Sequence, residues 1–317
     1  MQNVHPFNFL PIERLTMANR HFWTQCAPAA LAIFALSGCS GVAATGGGVA
    51  SAPPPPTYPT LASGTGTLST TGVVENFDRS AGAAVPTLRI SPANIEISYN
   101  ASTQTYSLSG VLSPQGARPD TASYGPAELQ AAAQRQGFGY DATTVVNGVT
   151  NVSRLQLDVA IPLTYSNIGL WTFGVTRADG SQSFANAYFS YGVQTLANDM
   201  PRTGTASYNV NISGTGGAAP LGGSGVITAN FGAANLSVAL SPTIVFGPTR
   251  ISQLGTLTGT GLISSNSFAA DIAGAGYTGT ARGLFYGPQA SEIGGAFSFA
   301  GPGLGGPVGG AFIGKRN

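Results

Sequence analysis

Thiol and imidazole chemistry is confined to the N-terminal end of this chain. The cysteines are Cys26 and Cys39 and the histidines are His5 and His21. Leu36-Ser37-Gly38-Cys39 matches the lipobox of bacterial lipoprotein signals. Small residues at Ser37 and Gly38 let the chain thread into a peptidase. The Cys39 thiol takes a diacylglyceryl group, cleavage falls before it, and the freed amine is acylated. The competing reading, a buried structural cysteine, does not account for four matching positions directly after an apolar run. Once the leader is removed, the mature chain keeps no histidine and a single cysteine at its first position. That excludes a Ser-His or Cys-His nucleophile pair, a His/Cys zinc site and an internal disulfide. Stability must then come from backbone pairing and core packing.

The carboxylates offer little more. Asp158, Asp179, Asp199 and Glu292 fall in turns or at strand ends, outside any motif. A glycosidase would need two of them to converge, so no catalysis and no cofactor are expected. Tyr165 and Trp171 could form a ligand platform, although in so glycine-rich a chain aromatics more often carry the core.

These residues must be positioned by the rest of the chain. Met17 makes a better start than Met1. Arg20 and His21 form a short n-region, and Ala27-Pro28-Ala29-Ala30-Leu31-Ala32-Ile33-Phe34-Ala35-Leu36 an apolar h-region. Ten residues are too few for a hydrocarbon core, which needs about 20, so 1–38 reads as a signal peptide. Ser40, rather than Asp, after the cysteine is compatible with sorting to the outer membrane. Residues 39–60 carry the lipidated Cys39 and a Gly/Ala/Pro-rich tether with Pro53-Pro54-Pro55-Pro56 in polyproline II form. Extended, it reaches roughly 60 Å. Membrane attachment through the Cys39 lipid is thus the first expected partner.

Composition sets the fold class. Charged residues make up 8% of 317, and glycine supplies 45. The formal charge of +1 leaves no electrostatic footprint for nucleic acid. An all-β chain is expected. Residues 61–200 read as one β domain. In it Ile95-Glu96-Ile97-Ser98-Tyr99 and Tyr106-Ser107-Leu108-Ser109-Gly110-Val111 form a hairpin around Asn100-Ala101-Ser102-Thr103. Residues 155–161 alternate, the aromatic run 163–174 follows, Asp179-Gly180 makes a turn, and 187–195 comes after it. One helix is expected over 126–136, with Pro126 at its first position, Glu128 in its first turn and Gly137 beyond its end. The long segment 114–151 around it is otherwise loop-like, and such segments are where binding residues collect and where neutral insertions collect as well.

Residues 203–317 divide into eight strands, roughly 205–212, 224–231, 235–240, 251–263, 267–273, 278–286, 290–300 and 308–314. Ala206, Tyr208, Val210 and Ile212 share one face; Ile227, Ala229, Phe231 and Leu236, Val238, Leu240 repeat the pattern. Eight hairpin-linked strands permit an antiparallel up-and-down barrel whose interior side chains fill. Gly259, Gly261, Gly283, Gly294 and Gly295 inside strands permit its coiling.

Three stretches carry a family resemblance: Gly204-Thr205-Ala206-Ser207-Tyr208, Ser224-Gly225-Val226-Ile227-Thr228-Ala229-Asn230-Phe231-Gly232 and, most specifically, Gly287-Pro288-Gln289-Ala290-Ser291-Glu292-Ile293-Gly294-Gly295-Ala296-Phe297. They resemble the barrel of the transferrin-binding protein B family of bacterial surface lipoproteins, which often has Asp where Asn230 stands. The region before, with Leu163-Thr164-Tyr165 through Trp171 and Tyr191-Gly192, is similar to the handle domain preceding each such barrel. The resemblance implies a single handle-plus-barrel lobe at the outer-membrane surface that captures a protein or haem-type ligand through loops. It carries over no ligand residue, and it leaves Glu292 a structural hydrogen-bond role. Haem would need a tyrosine or Met200 as axial ligand. The alternative is a structural or scaffold lipoprotein without a soluble ligand.

Overall fold

A computed structural model describes residues 58–61, 65–82, 87–112, 120–129, 138–146, 148–157, 163–216, 219–245 and 251–317. Two antiparallel sheets account for nearly all of them. The first contains β1 (Gly66–Arg79), β2 (Thr87–Ala93), β3 (Ile95–Asn100), β4 (Thr105–Gly110), β5 (Asp120–Tyr124), β6 (Phe138–Val146), β7 (Val149–Leu157), β8 (Ser166–Thr176) and β9 (Gln182–Gly192). The second contains β10 (Thr205–Gly216), β11 (Ala219–Asn230), β12 (Asn235–Val245), β13 (Ile251–Gln253), β14 (Leu257–Ser264), β15 (Ser267–Gly274), β16 (Tyr277–Tyr286), β17 (Glu292–Ala300) and β18 (Val308–Arg316).

In the second sheet each long strand pairs with its neighbour in sequence, β10 pairs with β18, and β11 pairs with β12. The ring of eight therefore closes, and β13 is a short flap on β12. Closure removes the free edges. The expected face points inward: Tyr208, Val210, Ile227, Val238 and Leu240 are buried in one cluster with Phe268, Phe285, Phe297 and Phe312. Phe285 is its hub, with ring centroids 5.7 Å from Phe231 and Phe268 and 6.1 Å from Tyr208. At about 1.5–3 kcal/mol per fully buried large apolar side chain, these rings are the main stabilising mass of a glycine-rich barrel. Outward positions such as Asn209, Asn211, Ser237 and Thr258 are polar and exposed. A membrane-spanning barrel has the reverse arrangement, an apolar exterior band.

The expected strand over 251–263 is broken in two. Gly255 takes φ +80° between β13 and β14, a conformation that interrupts the pairing of any strand. The seventh strand starts at Glu292, because Pro288–Ala290 forms a 3-10 turn.

The first sheet runs β5-β4-β3-β1-β9-β8-β7-β6, with β2 also on β1. β1 forks: Gly66 to Leu68 pair with β3 and Gly72 to Asp78 with β2 on one side, while Ser69 to Arg79 pair with β9 on the other. The expected hairpin is β3–β4, and the Asn100 side chain caps its turn by accepting the N–H of Ser102 at 3.0 Å. The ends of the sheet, β5 and β6, approach through the rings of Tyr124 and Tyr140, centroids 5.9 Å apart. Between them the expected helix does not begin: Pro126, Ala127 and Glu128 form a turn and Leu129 bridges to Tyr140. The Glu128 carboxylate accepts the N–H of Gly125 at 2.8 Å, so the residue that suits a first helical turn closes a tight turn instead. Residues 130–137 lie outside the described set, as do 158–162 of the expected strand over 155–161.

Candidate functional site

The most specific sequence stretch, 287–297, folds into the joint between the two sheets. Gly287 takes φ +69°, a left-handed conformation that glycine adopts without strain. The 3-10 turn after it delivers Ile293 into the barrel core and turns Glu292 outward toward the first sheet. There the Glu292 carboxylate accepts the backbone N–H groups of Thr164 at 2.8 Å and Tyr165 at 3.0 Å and the Ser166 hydroxyl at 2.8 Å. Three donors converging on one carboxylate make a strong, directional clamp. The structural hydrogen-bond role expected for Glu292 is the one it fills.

The segment leaving β9 is stitched to the same turn. Gly287 N–H donates to Val193 O at 2.9 Å, Thr195 N–H to Phe285 O at 2.9 Å, and the Thr195 hydroxyl to Gly287 O at 2.7 Å. Asn266 donates from its side chain to Thr195 O at 2.8 Å. Farther along, buried Asp199 accepts from the Gln289 N–H at 3.0 Å, from the Gln289 side-chain amide and from the Tyr58 hydroxyl at 2.8 Å. Burial opposes the Asp199 charge, but the hydrogen bonds from Gln289 and Tyr58 outweigh it and hold the carboxyl below its usual range. Tyr58 also accepts the Leu196 N–H at 2.9 Å and sets its ring edge-on to Tyr165 at 6.1 Å. Burial pushes the Tyr58 phenol up, and Asp199 adds to that.

Apolar contact fills the rest of the joint. Ile168 of β8 packs with Ala311 and Ile313 of β18. Tyr286, fully buried, meets the Ser190 hydroxyl at 3.2 Å, and burial raises its phenol far above the usual range. Gly192 allows that closeness: a Cβ there would stand 2.2 Å from Tyr165 O and 2.8 Å from the Tyr286 ring.

Of the other residues singled out by sequence, Trp171 belongs to the first sheet's core, fully buried, with its Nε1 donating to Tyr124 at 3.1 Å and Ser153 at 3.2 Å. Tyr165 lies in the joint. The two are thus not one platform. Asp179 caps its own turn by accepting the Ser181 N–H at 2.8 Å. Met200 packs against the barrel core. Asn230 accepts the Ala233 N–H at 3.0 Å, doing the turn-capping work that an aspartate would do. Cys39, Leu36, Ser37, Gly38 and Asp158 lie outside the described residues. Sequence reasoning missed Tyr58, whose signal is a lone aromatic at the end of a Pro/Ala/Gly stretch.

The remaining surface is uncharged over a broad area. A shallow groove of about 370 Å³ crosses β10, β11 and β12 outside the barrel, lined by Asn209, Asn211, Ser224, Val226, Ala239 and Ser241. It offers amide and hydroxyl groups and no ionised side chain.

With the closed barrel and its 287–297 joint in view, residues 200–316 match the family model described as the C-lobe and N-lobe beta barrels of Tf-binding protein B. Residues 200–316 are thus a transferrin-binding protein B-like barrel. Similar solved structures are the transferrin-binding protein B of Haemophilus parasuis Hp5, in a doubly substituted form (14% identity, 79% of this chain and 76% of that one, TM-score 0.36), and the isotype 1 protein of serogroup B Neisseria meningitidis (15%, 78% and 63%, TM-score 0.36). The intact two-lobed Ap protein gives 16%, 80% and 77%, with TM-score 0.37. At such TM-scores the superpositions add no weight; the match over the transferrin-binding protein B-like barrel carries the kinship.

Proposed function

We propose that this chain is an outer-membrane lipoprotein, anchored through Cys39, whose head captures a protein ligand at the cell surface by its loops and outer faces. The observation that carries this reading is the transferrin-binding protein B-like barrel of 200–316, closed and filled with aromatic side chains. A barrel whose interior is occupied by Phe231, Phe268, Phe285, Phe297 and Phe312 has its contact surface outside. This ranks a macromolecule above a haem-type ligand, as does the mature chain's lack of histidine. The similar solved proteins are transferrin-binding proteins, so transferrin is the first protein to test, although no residue here specifies it.

The test is protease shaving of intact cells with antibody detection of residues 204–315, followed by binding of purified head to immobilised transferrin and other host serum proteins. Loss of signal in unbroken cells supports surface capture. Protection until lysis sinks it and favours the scaffold lipoprotein. Surface exposure without transferrin binding keeps capture and redirects the search for the partner.

A further inference from the structure

Glu75, midway along β1, is 4% exposed, and its side chain leaves the first sheet on the face turned to the barrel. Its register neighbours on that face are Ile90 of β2 and Asn186 and Tyr188 of β9, and Ile90 abuts Gly309 of β18. Oε2 accepts from the Asn186 amide at 3.4 Å. The Thr215 hydroxyl of β10, which donates to Ala219 O at 3.4 Å, lies beside both the Glu75 carboxyl and the Tyr188 phenol on the barrel side. Oε1 is buried without a hydrogen-bond partner. Asn186 is held in turn by the Thr172 hydroxyl of β8 at 3.0 Å.

Among the described residues no cation is built into this spot. β8, β9 and β10 carry no charged residue, and β17 and β18 carry Glu292, Lys315 and Arg316, at the far end of the strands from the Thr215–Gly309 pair. On β2, Arg89 pairs with Asn76 and so lies on the other face of β1, as does Asp78. Arg79 shares the face but stands four residues on, roughly 13 Å along a strand.

We propose that Glu75 makes the junction of the two sheets acid-responsive: with its carboxyl neutral the sheets hold together more firmly, and its ionisation loosens them. A buried carboxylate with one unpartnered oxygen and no opposite charge beside it among the described residues is expensive to keep charged. Burial pushes Glu75 above its ordinary 4.5, against smaller opposing effects of Asn186 and Thr215. Because the folded-state value is the raised one, the added stability is fully present below 4.5 and is lost as pH rises through the raised value.

The experiment compares thermal unfolding of the full chain against pH in wild type, Glu75→Gln and Thr215→Val, with hydrogen exchange at β1 and at Thr215 corrected for the intrinsic rate. At neutral pH Glu75→Gln should melt about 3 °C higher than wild type, and the gap should close on acidification. Thr215→Val, which removes the hydroxyl that lies beside the carboxyl and lowers its pKa, should move the wild-type transition to higher pH, with exchange at the junction following it. Parallel pH profiles for wild type and Glu75→Gln would overturn the proposal. If Glu75→Gln does not fold, junction exchange that ignores pH in wild type and in Thr215→Val overturns it equally.

Discussion

The carboxylate of Glu292 accepts the backbone N–H of Tyr165 at 3.0 Å across a sequence separation of 127, and this contact ties the barrel's seventh long strand to the entry of β8. Glu292 is 2% exposed, and Thr164 and Ser166 donate to it as well. Removing it leaves two backbone N–H groups without a partner. Glu292→Ala should therefore cost about 3 kcal/mol. Glu292→Gln should recover less than half of that, because its NH₂ end would face donors. Urea unfolding midpoints at unchanged slope are the measurement.

Gly192 is tested by steric contrast. A methyl group there would press on Tyr165 O at 2.2 Å and on the Ser166 Cα at 2.9 Å, and backbone gives way poorly. Gly192→Ala should destabilise by about 2 kcal/mol or more. Gly222→Ala is the control, since the nearest atom to its added carbon would be Ile212 O at 3.8 Å. It should change stability by under about 0.5 kcal/mol. Equal losses in both would mean that the joint is not tightly seated.

The parts legible in sequence and the parts hidden from it divide by range. Alternation of Ala206, Tyr208, Val210 and Ile212 announces an inward face because side-chain direction in a strand is a local property, and the hairpin around Asn100 follows from the turn chemistry of one side chain. Gly255, visible in sequence, is the residue that breaks the expected strand over 251–263. The apolar residues on both sides of it, Leu254 and Leu257, make the run look continuous. Pro126 and Glu128 fit a helix start and a capped turn equally well, and the pairing of Leu129 with Tyr140 decides between them. Glu292 with Thr164, Thr195 with Gly287 and Tyr58 with Asp199 are long-range pairs, and no local pattern marks which donors will meet which acceptors. The joint between the sheets is therefore the part of the candidate site that only the folded chain displays.

Trp171 reports on the first sheet. In a form of the chain lacking residues 1–38, and with them Trp23, it is the sole tryptophan, fully buried and hydrogen-bonded to Tyr124 and Ser153. Its emission should be blue-shifted in the folded protein and move red on unfolding. Tyr124→Phe should keep the blue shift and cost about 1 kcal/mol, whereas Trp171→Ala should cost about 3–5 kcal/mol. A red-shifted native spectrum would contradict this placement.

Lipidation is tested separately from the fold. Cys39→Ala should abolish incorporation of labelled fatty acid and release the protein from membranes, since several acyl chains at about 0.8 kcal/mol per buried CH₂ supply the anchoring. The head should unfold at the same urea midpoint with or without the lipid. Retained labelling in Cys39→Ala would refute the lipobox assignment.

Asp199 supplies the acid-side prediction. Its hydrogen bonds from Gln289 and Tyr58 hold it below its ordinary value of 3.8. A depressed acid stabilises the fold above its unfolded value, and that contribution disappears as pH falls through the folded one. Asp199→Asn, whose amide offers one acceptor in place of two, should destabilise by about 2 kcal/mol at neutral pH, and the deficit should shrink once the solution drops below 3.8. Tyr58→Phe should lose part of the same increment and expose the chain near Leu196 to limited proteolysis, because the Tyr58 hydroxyl both donates to Asp199 and receives the Leu196 N–H. The pH trend runs opposite to that of Glu75, so the double variant Glu75→Gln with Asp199→Asn should flatten the stability profile from both sides. A wild-type profile unchanged by Asp199→Asn would show that the Tyr58–Asp199–Gln289 contact carries no load at the joint.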